Sequence, residues 1–229
     1  MGGICLLKTP WLIGSVVVGG LLVLTGCGST SSVAKSTNLN HIVAPSRPIG
    51  ASEHWEKMPN MFIQPNRQYS ALVKTNYGNF TIQLFAKKSP ETVNSFVFLV
   101  NHKFYNGDRF FRIIQNFMIQ TGDPNNNGTG GPGYTIPDEL PPSVPYTAGV
   151  VAMANTGQPH SGGSQFFICT VNDSQQLNPS YTELGKVVSG MNVIKKIAAI
   201  PVVANPNMGG EMSKPTKTAF IESITITKH

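Results

Sequence analysis

Charged side chains make up only 12% of this 229-residue chain, and they do not cluster. The formal net charge of +6 comes from lysines and arginines that stand singly or in pairs, such as Lys87 with Lys88 and Lys195 with Lys196. A nucleic-acid binder needs a basic stripe along one face, so that class is set aside and the charge is read as solubility. Cysteine is scarce: Cys5, Cys27 and Cys169 are too few for a disulfide framework. The histidines are scattered without metal-ligand spacing, and no metal site is expected. Ser164, His160 and Asp173 lack the G-x-S-x-G elbow that would make a hydrolase triad credible. Asp138 and Glu139 are adjacent and would point apart in a strand, so they are not read as an acid/base pair. Residues 128–133 spell G-x-G-x-x-G, but Pro132, Gly133 and Pro137 forbid the helix that a dinucleotide site must open. No cofactor is expected.

What the chain does have is 40% hydrophobic residues with 23 glycines and 17 prolines, the balance of a β-rich domain with many turns. Residues 69–74 and 79–85 alternate apolar and polar positions around Asn76-Tyr77-Gly78, a hairpin signal. Ser89-Pro90-Glu91 opens a helix with a serine cap, proline at the first position and an acid in the first turn. Val93, Phe96, Val97 and Val100 follow at helical spacing, which predicts a buried face. A strand over 185–188, a short helix over 191–199 and a last strand over 220–228 complete the pattern. Many short strands with a helix near each end suggest a closed antiparallel barrel.

The most informative stretch is RFFRIIQNFMIQTGD, residues 109–123. Two apolar runs, 110–114 and 117–119, flank Gln115 and Asn116 and resemble two strands with a tight turn. Strand alternation puts Arg112 on one face with Phe110 and Ile114, and Phe111 with Ile113 on the other. A cation among apolar neighbours is either an edge-strand charge that discourages aggregation or a functional donor. A second stretch, residues 150–171, carries two apolar runs around a loop rich in Gly, Ser and Pro. Within it, Gln165, Phe166 and Phe167 stand together at the start of the second run.

These residues resemble the cyclophilin family of peptidyl-prolyl cis/trans isomerases. The family's F-H-R-[IV]-I-x-x-F-M-x-Q-x-G-D pattern corresponds to residues 110–123, and its M-A-N and G-S-Q-F-F-I patterns to 153–155 and 163–168. The resemblance runs from about residue 69 to the C-terminus. It implies a closed eight-stranded antiparallel β-barrel capped by two α-helices, with Arg112 donating a hydrogen bond to the proline nitrogen of a twisted amide. Phe117, Met118, Phe167 and Leu177 would hold the proline ring. Gln120 and Gln165 would orient the arginine and hold substrate backbone, Asn155 would offer backbone hydrogen bonds to the peptide, and Tyr181 would hydrogen-bond substrate. Phe111 departs from the family's histidine, Gln176 from its usual Trp or Phe, and Tyr181 from the His of many members. The loop over 156–162 is one residue longer. The partners implied are proline-containing unfolded or secreted polypeptides, bound by a monomer. A proline-peptide-binding chaperone module without essential turnover is the alternative.

The N-terminus suggests where this happens. Lys8 precedes an apolar run, residues 11–24, that is long enough for a signal-peptide core but short of the ~20 residues of a membrane span. It ends in Leu24-Thr25-Gly26-Cys27, which resembles the bacterial lipobox, whose cysteine is lipidated. The expected organisation is a signal peptide over 1–26, lipidated Cys27 with a tether and a partly packed extension over 27–66, and the isomerase domain over 67–229. The Ser, Thr and Asn-rich composition after Cys27 suits a tether, whereas Trp55, Met58, Met61, Phe62 and Ile63 are apolar enough to pack on the domain. The protein would sit on the extracytoplasmic face of a bacterial membrane, held by its lipid. Cys169, between apolar residues, is expected to be a small core residue.

Overall fold

The computed structural model describes residues 54–172 and 177–229. The expected leader, Cys27, the first part of the tether, Asp173 and Gln176 lie outside the described residues. Tyr69–Thr75 (β1) and Gly78–Leu84 (β2) form the expected antiparallel hairpin. Gly78 turns its corner with φ at +120°, and a Cβ there would press on Val193, so glycine meets two demands at once.

Pro90–Asn101 (α1) follows, with Val93, Phe96, Val97 and Val100 all buried as the spacing predicts. Its cap differs from the expectation. The Ser89 hydroxyl makes no capping bond and is buried without a partner. The Glu139 carboxylate instead accepts the N–H of Glu91 at 3.0 Å and of Thr92 at 2.9 Å. A charged acceptor at the positive end of a helix binds these donors more strongly than a neutral hydroxyl, so the distant acid displaces the local serine.

Arg112–Ile114 (β3) and Met118–Thr121 (β4) form a second hairpin, turned at Asn116 with φ at +56°. Val150–Met153 (β5), Phe166–Cys169 (β6), Glu183–Ser189 (β7) and Met191–Ala198 (α2) come next. A two-stranded ribbon that the sequence pattern leaves unassigned follows: Val202–Asn205 (β8) and Glu211–Pro215 (β9), joined through a single turn at Pro206–Met208. Ile221–Lys228 (β10) ends the fold.

The main sheet has eight strands in the order β10-β1-β2-β7-β5-β6-β4-β3, each antiparallel to its neighbours. The expectation of a closed barrel is corrected here: the sheet is strongly curled but open, with β10 and β3 as its two edges. Among the described residues the edges meet where the chain leading into β3 passes the start of β10. Gly107 donates to the Ile221 carbonyl, Ile221 to Asp108 and Phe110 to Ala219, with a single bridge between Arg109 and Phe220. β3 is three residues long and forms no ladder with β10.

That short β3 also explains a broken alternation. Phe110 lies ahead of the strand and packs into the main core with Ile113, not on the face of Arg112. Within β3 to β6 the alternation holds, and both faces are covered. Ile113, Ile119, Ile168 and Val151 lie in register and enter the main core with both helices. Met118, Ala152, Phe167 and Cys169 enter a second cluster on the other side with Val150 and Tyr146. Strands buried on both faces read as continuous apolar runs, and β4, β5 and β6 are buried at every residue. Cys169 is a fully buried member of the second cluster.

The extension before β1 packs only in part as its composition suggests: Trp55, Met58 and Ile63 reach the core, whereas Met61 and Phe62 stay exposed. Trp55 meets Phe98 edge-on at 5.1 Å, and Ile63 joins the core. Buried Asn94 on α1 pins the backbone between them: its side-chain oxygen accepts from Phe62 and Ile63, and its nitrogen donates to the Pro59 and Asn60 carbonyls.

The cap exchange is measurable. Glu139→Ala should lower unfolding free energy by about 1 kcal/mol or more, the usual cost of a lost helix cap. Ser89→Ala should leave stability unchanged or slightly raised, because its buried hydroxyl caps nothing. Urea denaturation of the two variants gives the comparison directly, and equal losses would contradict the assignment.

Candidate active site

Register places the site. Arg112 pairs with Gln120, Gln120 with Phe167 and Phe167 with Ala152, so the four form one row across β3, β4, β6 and β5. Directly opposed residues share a face, and this row faces away from the main core. The next row is Ile114, Met118 and Cys169. Phe117, Leu177 and Tyr181 pack on the margin of the same apolar cluster.

Above these rows lies a groove of about 1030 Å³. Every site residue expected in the domain lines it: Arg112, Gln120, Phe117, Met118, Asn155, Gln165, Phe167, Leu177 and Tyr181. Met118 and Phe167 are nearly buried and form an apolar floor. The Tyr181 ring stands perpendicular to Phe167 at 5.3 Å. Tyr146 fixes Tyr181 from behind, donating its hydroxyl to the Tyr181 carbonyl at 2.7 Å and accepting the Tyr181 N–H at 3.1 Å. Burial pushes the Tyr146 phenol up to about 12, so it stays protonated and keeps donating.

The polar wall is a chain of hydrogen bonds. Arg112 donates through Nε to Glu211 Oε2 at 2.7 Å and through Nη2 to Glu211 Oε1 at 2.8 Å, a side-on bidentate pair. Its Nη1 donates to Gln120 Oε1 at 3.0 Å. Gln120 Nε2 donates to Gln165 Oε1 at 3.0 Å, and Gln165 Nε2 reaches the carbonyls of Gly128 and Gly130. The Arg112 hydrogen bonds hold the Glu211 carboxyl below the ordinary carboxylate range, so the pair is intact at neutral pH. Asn155 spends its side chain locally, donating to the Ser180 carbonyl and accepting from Gly157 N–H.

The motifs set aside find other uses. The glycine-rich loop is shaped by Asp123, whose carboxylate accepts the N–H groups of Asn125, Asn127 and Gly128. At Gly130 a Cβ would collide with that carboxylate, so glycine there is a packing requirement. Ser164 is buried and donates its hydroxyl to the Gly122 carbonyl, while His160 pairs with Asp138 at the surface. Glu211, Met208 and His54 also border the site, Glu211 through Arg112 and the other two as groove lining, and sequence reasoning missed all three. The one available signal was the need of Arg112 for a counter-charge, which does not say which acid supplies it.

Comparison with known proteins agrees with this geometry. Residues 71–226 match the family model for cyclophilin type peptidyl-prolyl cis-trans isomerases. Peptidyl-prolyl cis-trans isomerase B of Streptomyces anulatus is 38% identical over 69% of this chain and 97% of its own length. Peptidyl-prolyl cis-trans isomerase-like 2 of Rhizopus delemar is 36% identical over 86% of this chain, which spans only 35% of that longer protein. A crystal structure of a Cryptosporidium parvum cyclophilin type peptidyl-prolyl cis-trans isomerase superposes with a TM-score of 0.63 at 30% identity, covering 71% of this chain and 99% of the other. The same protein crystallised in the presence of the dipeptide Ala-Pro gives a TM-score of 0.62. The β-rich fold with its two helices and these matches together make the chain a member of the cyclophilin-type peptidyl-prolyl cis-trans isomerase family.

Proposed function

We propose that this isomerase turns X-Pro bonds in the groove above Phe167, with Arg112 as the donor that stabilises the transition state. The observation that carries this reading is a guanidinium fixed on the groove wall beside an apolar floor of Met118 and Phe167. Rotation about the planar amide faces a barrier of about 18–20 kcal/mol. In the twisted state resonance is lost and the proline nitrogen regains a lone pair. A donor that meets this lone pair binds the transition state and not the ground state, which is what raises the rate. Lowering the barrier by about 7 kcal/mol would accelerate rotation roughly 10⁵-fold.

Arg112 suits this step because its charge is permanent and its fork rigid. Glu211 and Gln120 take Nε–H and one N–H on each terminal nitrogen. One N–H on Nη1 and one on Nη2 remain for a ligand. Phe117, Met118, Phe167 and Leu177 would receive the proline ring, Tyr181 and the Asn155 backbone would hold the extended peptide, and Gln120 with Gln165 would keep the guanidinium in its plane. A groove that only bound peptides would have no use for a donor held against the reacting nitrogen, so turnover is preferred to a binding module. Arg112→Ala should lower kcat/KM for an X-Pro peptide about 10²-fold or more, the scale of a lost transition-state donor, with peptide binding much less affected. Arg112→Lys should recover little, since an ammonium lacks the planar fork. Wild-type turnover by a folded Arg112→Ala protein would refute the mechanism.

We also propose that the enzyme works at the extracytoplasmic membrane surface on secreted or cell-envelope polypeptides. Leu24-Thr25-Gly26-Cys27 is the motivation. Two acyl chains at about 0.8 kcal/mol per buried CH₂ hold a protein stably, whereas one is marginal. Cys27→Ser should abolish incorporation of labelled fatty acid and release the protein from the membrane fraction, and a wild-type protein that takes up no label would exclude the anchor.

A further inference from the structure

The ribbon of β8 and β9 lies outside the main sheet, yet it reaches the groove at two points. Its turn places Met208 in the groove lining, against the glycine-rich loop: a Cβ on Gly128 would come within 2.3 Å of Met208 Cε. One strand further, β9 runs beside β3 and sets Glu211 on Arg112. The carboxylate is itself held from behind. Ser213, two residues on in β9, helps to hold that carboxyl low, and the Asn205 side chain donates to Ser213 Oγ at 3.3 Å. Ser213 is fully buried and Asn205 nearly so.

Such a pair adds little to stability. The Arg112 and Glu211 side chains keep 27% and 32% of their surface exposed, and ion pairs this accessible contribute modestly after solvent screening and side-chain ordering. Its geometry points elsewhere. The carboxylate takes the Nε and Nη2 edge of the guanidinium, Gln120 takes one N–H of Nη1, and one N–H on each terminal nitrogen remains. A side-on carboxylate of this kind fixes the plane of the guanidinium, and with it the direction of the donors that remain.

We propose that Glu211 is a positioning residue for isomerisation, a strut from the β8–β9 ribbon that orients the Arg112 fork toward the reacting amide. The proposal rests on the role assigned to Arg112 above. Its energetic logic is preorganisation: a donor already aimed loses no rotamer freedom when the twisted amide forms, whereas a misplacement of the order of 1 Å can cost up to about 10²-fold in rate.

The test is steady-state isomerisation of an X-Pro tetrapeptide by the full-length protein and its Glu211→Ala, Glu211→Gln, Arg112→Ala and doubly substituted forms, with thermal unfolding of each. Glu211→Ala should lower kcat about tenfold with KM changed less than about twofold and the unfolding temperature unmoved, a split that a structural role would not give. Glu211→Gln, which keeps one acceptor oxygen, should fall between it and wild type. Adding Glu211→Ala to Arg112→Ala should cost nothing further, because the strut acts only through the arginine. Wild-type or faster turnover by Glu211→Ala, with Arg112→Ala still impaired, would overturn the proposal alone. Undiminished turnover by Arg112→Ala would overturn the role of the arginine and the strut together.

Discussion

A guanidinium cannot sit unsatisfied at the wall of an apolar groove, and the way Arg112 is satisfied organises the residues around it. Leaving its donors to water would keep the side chain mobile. Giving all of them to protein acceptors would leave nothing for a ligand. Glu211 and Gln120 take three N–H groups and leave two, one on each terminal nitrogen. The bidentate pair is worth more here as geometry than as stability, because two parallel bonds fix a plane where a single bond fixes only a direction.

The scaffold makes that arrangement available through its two-sided strands. Four strands bury one set of alternate residues in the main core and set the other against the second cluster, where Arg112, Met118, Gln120 and Phe167 line the groove. The floor cannot shift without disturbing the core behind it, and interiors packed to that density yield little. The openness of the sheet matters equally. A closed barrel would lay β10 along β3, and the free edge beside Arg112 would be gone. Because β3 is an edge strand, β9 can run beside it and bring a carboxylate from the ribbon. Covering an edge is also how β proteins avoid unwanted strand pairing.

Much of this was legible in the sequence, and the exceptions share a cause. The hairpin around Asn76, the buried face of α1 and the apolar groove residues all follow from local periodicity or from two long motifs. The serine cap failed because Glu139, 48 positions away in sequence from Glu91, competes for the same donors. Phe110 left the expected face because β3 begins two residues later than the apolar run. Glu211 was invisible for the same reason: 99 residues separate it from Arg112, and nothing local in Gly209-Gly210-Glu211 announces a contact across the fold. Local pattern specifies which elements form, while the choice among distant acceptors is settled only when the chain is folded.

The polarity of the hydrogen-bond chain shows how little freedom remains once its ends are set. A carboxylate at one end and the Gly128 and Gly130 carbonyls at the other can only accept, and the guanidinium can only donate. Gln120 must therefore turn its oxygen to Arg112 and its nitrogen to Gln165. Gln165 in turn must give its oxygen to Gln120 and its nitrogen to the loop. Neither amide can flip without setting donor against donor at one junction and acceptor against acceptor at the other. A carboxylate at either glutamine position would lose the outgoing bond, and a lysine would lose the incoming one. The amide is the side chain of this length that accepts on one side and donates on the other, so the two glutamines carry the orientation of the arginine across the groove to the loop on its far rim.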